Sequence, residues 1–282
     1  MNMPSPIPEP IPSARDLLAF YLEAGVDCAL NDEPVNRLSE PDAVQQVAET
    51  PPIRKPLVME PTPVVRSTSV PPPAPDVAIA SARDAARTAP TLDALRTLLD
   101  NFDGCALKTT ATRLVFADGN PKARVMFVGE APGRDEDLSG LPFVGRSGKL
   151  LDLMLRAIGL DRTTAYIANV IPWRPPGNRD PSPQETQICL PFIKRQIELV
   201  DPDVLVCLGK PSSQAVLDFK DGIMRTRGRW HNYDTGTRTI RAMATFHPAY
   251  LLRQPIYKRM AWQDLRSIAK ALKETATAGA SS

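Results

Sequence analysis

Between residues 91 and 274, short apolar runs alternate with amphipathic stretches, and this alternation restricts the fold more than any other feature of the chain. ARVMFVG (123–129), with four consecutive apolar residues at 125–128, AYIANVI (165–171), DVLVCLG (203–209) and TIRAMATF (239–246) read as strands. Runs this apolar suit strands covered on both faces. The stretches LDALRTLLDNF (92–102), SGKLLDLMLRAIGL (147–160), PQETQICLPFIKRQIELV (183–200), PSSQAVLDF (211–219) and YKRMAWQDLRSIAKALKE (257–274) carry helical spacing. In 147–160 the residues Leu150, Leu151, Met154, Leu155 and Ile158 share one face, and Gly159 stops the helix. The pattern predicts an α/β fold of three layers, α/β/α, around a mainly parallel central sheet. In such folds a ligand binds beyond the carboxyl ends of the strands.

The rest of the chain differs in kind. Of 30 prolines, 17 lie in residues 1–90, which also hold 7 Lys/Arg against 12 Asp/Glu. Residues 91–282 hold 27 Lys/Arg against 20 Asp/Glu, so an acidic proline-rich arm precedes a basic domain. A basic surface is consistent with a nucleic-acid partner without requiring one. Four segments are expected: an arm at 1–37, a disordered proline-rich linker at 38–90, one globular domain at 91–276 and a flexible tail at 277–282. In the arm, Leu17, Leu18, Tyr21, Leu22 and Val26 fall at helical spacing behind Ser13, as in a short amphipathic helix that docks on the domain or on a partner. The linker, with prolines at 71, 72 and 73, favours polyproline II and is expected to be dispensable for chemistry. No apolar run approaches the ~18 residues of a membrane helix, and the first residues lack a secretory pattern, so no membrane association is expected. Cys28, Cys105, Cys189 and Cys207 are widely spaced with no C-x-x-C pair, which points to free thiols in a reducing cytoplasm.

Three segments leave the carboxyl ends of strands and should converge: GEAPGRDED (129–137), Asn169 with PWRPPGNRDP (172–181), and HPAYLLRQP (247–255). The first has neither a dinucleotide fingerprint nor a P-loop. Its glycines allow close backbone approach, Pro132 stiffens the turn, and Glu130 sits inside it. His247, one of two histidines, stands where a strand meets Pro248. In the loop that follows, Leu251 and Leu252 suit a wedge entering a duplex, with Arg253 on phosphate. A core-facing leucine pair is the plainer alternative.

In order and spacing, GNP (119–121), GEAPG with Glu136 and Asp137, GLPFVGRSG (140–148), Asn169, RPPGNRDP (174–181) and HPAYLLRQP resemble the uracil-DNA glycosylase superfamily, in its family-four branch. The resemblance covers about Leu92 to Leu272 and leaves the arm outside. It implies a monofunctional DNA glycosylase of base excision repair, which flips uracil from DNA and hydrolyses the N-glycosidic bond to an abasic site. Phe143 would stack on the base, Asn169 would bond its Watson–Crick edge, and the loop at Gly129 and Ala131 would meet O2. Glu136 would exclude the thymine methyl. His247 would donate to O2 of the departing base, and Glu130 would orient water or stabilise the sugar cation. The aspartate found after the glutamate position in better-known uracil glycosylases is here Ala131.

Family-four enzymes usually carry a four-iron–four-sulfur cluster on four cysteines. Here Cys105 and Cys189 keep two of those positions while Phe102 and Trp173 occupy the others. Neither carbon side chain ligates iron, so no metal and no cofactor are expected, with the two rings filling the space as core. The expected partners are DNA containing uracil or another damaged base, the abasic product, and a repair protein for the arm. The chain is expected to be a monomer in a bacterial cytoplasm, associated with the nucleoid. Two other readings stand beside this one: a non-catalytic binder of uracil or abasic sites, and a metal-dependent hydrolase built on Glu130, Glu136 and Asp137.

Overall fold

The computed structural model describes residues 75–279. The helix expected at 13–30, Cys28 and the linker up to residue 74 lie outside the described residues. Six strands form one sheet in the order β1-β3-β2-β4-β6-β5. These are β1 Ala117–Gly119, β2 Val125–Gly129, β3 Tyr166–Asn169, β4 Val204–Leu208, β5 Trp230–Asp234 and β6 Thr239–Thr245. The four apolar runs are the four inner strands, and they pair in parallel. The edge strands β1 and β5 are antiparallel to their neighbours.

Alternation along each inner strand divides its side chains between two cores. Met126, Val128, Leu205 and Cys207 face one core, while Val125, Phe127, Val204 and Val206 face the other. The first core is closed by α1 (Pro75–Thr88), α2 (Leu92–Asn101) and α6 (Pro183–Val200). The second is closed by α5 (Arg146–Arg156) and α10 (Lys258–Gly279). Five shorter α-helices are found among the described residues: α3 Leu107–Thr110, α4 Arg134–Ser139, α7 Lys210–Leu217, α8 Ile223–Thr226 and α9 Pro248–Arg253. This is the expected three-layer α/β/α architecture. Among the described residues no helix is long and apolar enough to cross a membrane.

Two of the expected boundaries differ. Residues 75–88, read as linker, form α1, whose Ala78, Ala82 and Ala86 are buried against the first core together with Ala89. Alanines four apart make a narrow apolar stripe that lets two helix backbones approach closely, a signal much weaker than a leucine face. Arg195 of α6 fixes the end of this helix by donating to the carbonyl of Ala89 at 2.7 and 3.0 Å. At the other end, the start of the expected flexible tail is still helical, since α10 runs to Gly279.

Strand β2 is flanked by β3 on one side and β4 on the other: the chain leaves β2 for β3, and the next connection crosses back from β3 to β4. This is a topological switch point, where the crevice of an open α/β sheet forms.

Candidate active site

At the carboxyl end of β2 the parallel register sets Gly129 opposite Asn169, the last residue of β3. The ladder continues past both strands, as Ile171 donates to the carbonyl of Glu130 at 2.9 Å. A Cβ at position 129 would lie 2.4 Å from the Asn169 side-chain oxygen and 2.5 Å from Cζ of Phe143. Glycine is therefore required for the amide and the ring to meet over this strand end.

Asn169 and Phe143 line a cavity of about 360 Å³ that also takes in Glu130, Ala131, Glu136, His247 and Arg253. The volume lies in the range usual for small-molecule sites. Asn169 is 5% exposed, and its side-chain oxygen is buried without a hydrogen-bond partner among the described residues. Leaving such an acceptor unpaired costs about 1–3 kcal/mol, so a donor from outside the protein, water or ligand, belongs there.

Phe143 has φ +54°, a left-handed conformation that is uncommon for a bulky residue. Three neighbours hold it there. Arg162 donates to the carbonyls of Pro142 (3.1 Å) and Phe143, and is itself anchored by Asp118 and Asp152 at 2.5 and 2.9 Å. Gly148, in the first turn of α5, lets the Phe143 carbonyl pass where a Cβ would stand 1.6 Å away. Glu136 accepts from the amides of Val144 and Gly145, both at 3.0 Å, and from Gly133 at 3.1 Å. The Phe143 ring then lies 5.4 Å from the His247 ring, tilted by 32°.

His247 caps α9, and its Nδ1 accepts the amide of Ala249 at 3.1 Å. Burial, reinforced by the charge of Arg253, pushes the imidazole pKa down to about 4. The ring is therefore neutral at pH 7, and with Nδ1 accepting, its proton resides on Nε2. Glu130 is half-buried, and desolvation, with the nearby Asp180 carboxylate adding to it, raises its pKa.

Most of the expected site residues thus meet in one cavity; Gly129 and Leu252 lie outside its lining, and Leu251 does not reach the surface at all. It is 1% exposed and packs in the second core, because one helical turn sends it inward while Leu252, 36% exposed, points out. Asp137 is also absent from the cavity lining. Its carboxylate accepts from the amide and hydroxyl of Thr112 at 2.8 and 2.9 Å. Among the described residues no group of three or more His, Cys, Asp or Glu is arranged to hold a metal ion. Sequence reasoning missed Arg162 and gave no role to Asn178, Arg179 and Asp180, which line the cavity from the RPPGNRDP segment. It also missed Ile256, an apolar side chain 79% exposed just beyond α9.

The profile of the Uracil DNA glycosylase superfamily matches residues 116–266, more than half of the chain and all of the cavity lining. The chain belongs to the uracil-DNA glycosylase superfamily. It is 43% identical over 168 residues to the type-4 uracil-DNA glycosylase of Archaeoglobus fulgidus, covering 58% of this chain and 84% of that one. With the type-4 uracil-DNA glycosylase of Thermotoga maritima the identity is 40% over 173 residues, 60% of this chain and 88% of the relative. The type-5 uracil-DNA glycosylase of Pyrobaculum aerophilum matches at 27% over 135 residues, 48% of this chain and 58% of that one. These similarities support the family-four branch.

The iron–sulfur cluster usual in that branch can be tested against the residues that uracil-DNA glycosylase homology brings together here. Cys105 and Cys189 are buried with their sulfurs 3.9 Å apart, Cys189 donating. That contact lowers the Cys105 pKa and raises that of Cys189. Phe102 and Trp173, 8% and 2% exposed, lie in the same core cluster, and Phe102 packs edge-on against Phe192 at 5.0 Å. Two thiols and two rings do not fit a centre that requires four thiolates.

Proposed function

We propose that the chain releases uracil from DNA by hydrolysing the N-glycosidic bond and leaves an abasic site. The observation that carries this reading is the unpartnered, buried carboxamide oxygen of Asn169 beside a neutral His247 in one cavity. Uracil offers what these groups lack: its N3–H can donate to the Asn169 oxygen, and its O4 can accept from the amide nitrogen. The base reaches the cavity by leaving the duplex and stacks on Phe143, with Leu252 entering the stack and Arg253 on a phosphate.

As the C1′–N1 bond breaks, its electron pair passes to the uracil ring and charge grows on O2. His247 Nε2–H donates to that oxygen. A neutral donor stabilises the anion without first protonating it, and a single such donor is worth about 3 kcal/mol in a water-excluded site. The sugar develops oxocarbenium character, which the Glu130 carboxylate stabilises across a desolvated gap. Water then bonds to C1′ while Glu130 accepts its proton. The raised pKa makes Glu130 a stronger base than an exposed glutamate. Glu136 stands beside ring position five and bars the thymine methyl. Neither lysine nor metal enters any of these steps, and no cluster is part of the reading.

The test is base release from a uracil-containing oligonucleotide by the full chain, read as strand cleavage after alkali. Cleavage at uracil is expected. Retention of the DNA without cleavage would favour a non-catalytic binder of the same fold. Substrates with hypoxanthine, xanthine or ethenocytosine in place of uracil define the range of bases.

A further inference from the structure

Behind the base cavity lies a second one of about 370 Å³, between the start of α6 and the start of α7. Two residues are common to both linings, Glu130 and Asp180. Neither carboxylate has a hydrogen bond or ion pair among the described residues. Asp180 is exposed at the rim, and Arg179, the cation next in sequence, is engaged by Glu185 in a two-pronged pair at 2.6 and 2.9 Å and forms no ion pair with it. Thr186, Gln187 and Gln214 supply polar groups to the lining of the second cavity. A flipped nucleotide would close the first cavity from the DNA side and leave the second open to solvent.

We propose that Asp180 is the second carboxylate of the hydrolytic step, a positioning residue that holds the attacking water against Glu130 from the rear cavity. This inference rests on the glycosylase reading above. The water's oxygen forms the bond to C1′, one of its protons passes to Glu130, and its other hydrogen stays on that oxygen as the new hydroxyl, donating a hydrogen bond to Asp180. The C1′–N1 bond breaks with its electron pair on uracil, so Asp180 is unchanged at the end of the step. Its negative charge also makes Glu130 hold a proton more tightly, as the raised pKa of that residue indicates. The other charged or titratable groups facing Glu130 across the base cavity are Glu136, Arg179, His247 and Arg253.

The test is the pH profile of single-turnover uracil release by the full chain, for the native protein and for Asp180→Asn, Asp180→Glu and Glu130→Gln. Release requires ionised Glu130, so activity falls on the acidic side. Removing the neighbouring negative charge should move that acidic limb to lower pH and reduce the plateau by about tenfold. Asp180→Glu should return the limb towards its native position. A structural role alone would lower the melting temperature without moving the limb. An unmoved limb in Asp180→Asn overturns the proposal. If Glu130→Gln abolishes the limb and Asp180→Asn leaves it in place, this inference alone fails. If Glu130→Gln keeps the native limb, the role given to Glu130 fails as well.

Discussion

Arg162 grips Phe143 by its backbone: the guanidinium donates to the Phe143 carbonyl and, at 3.1 Å, to that of Pro142. The arginine lies behind the pocket and touches no base. It nevertheless decides where the ring stands, because the left-handed backbone at Phe143 costs of order 1–3 kcal/mol unless its surroundings impose it. Arg162→Ala should therefore loosen the ring and slow uracil release by about tenfold, since small misplacements of a positioning group carry large kinetic costs. Arg162→Lys keeps the charge but loses the fork and should recover only part of the rate. Single-turnover kinetics on both variants check this, and native rates in Arg162→Ala would rule it out.

The neutral state of His247 has a signature in stability. Its folded pKa of about 4 lies below the ordinary histidine value of about 6.5. Between those values the unfolded chain binds a proton that the folded chain refuses. Stability is thus fully present above about pH 6.5 and is lost as pH falls towards 4. Denaturation followed across that window should show a shallower slope in His247→Gln than in the native chain. For activity, the same substitution should cost about 10²–10³-fold in base release. The acidic limb of the native pH profile should belong to Glu130 and keep its position in His247→Gln.

Trp173 is 2% exposed in a core that also holds Phe102, Cys105 and Cys189. Trp173→Ala should destabilise by about 3–5 kcal/mol through the cavity it leaves. Purified protein should be colourless, with no stoichiometric iron by metal analysis. A brown preparation with about four irons per chain would contradict the packing of these rings.

Chains that begin at different points test the boundary corrected above. One that starts near Thr68 keeps α1, and its melting temperature should match that of the full chain. One that starts at Ala89 strips the stripe of Ala78, Ala82 and Ala86 from α6, and should melt several degrees lower or fail to fold. Equal melting temperatures for the two would make α1 a decoration.

The parallel centre of the sheet was legible because its strands are continuous apolar runs, and the crevice followed from where those runs end. The edge strands escaped notice for physical reasons. β1 is three residues closing on a glycine, and β5, WHNYD, is half-exposed and polar, so neither carries a burial pattern. Helix α1 was hidden by alanine, which packs well but weighs little in any hydrophobic period. In the site, Glu130, Asn169 and His247 could be found from strand ends and motif spacing. Arg162 could not, because it holds the ring through backbone carbonyls 19 and 20 residues away, and no side-chain pattern announces such a contact.

The bonds of Glu136 bear on how the pocket could change over evolutionary time. One carboxylate both walls the cavity and ties down three backbone amides at positions 133, 144 and 145. Glu136→Gly, which would enlarge the cavity, also frees the segment that carries Phe143. Wider substrate choice and slower turnover are therefore inherited together at this position. A lineage acquiring new base preferences would meet less resistance at Ala131 or Ser147, whose side chains have no such second duty in the hydrogen-bond network.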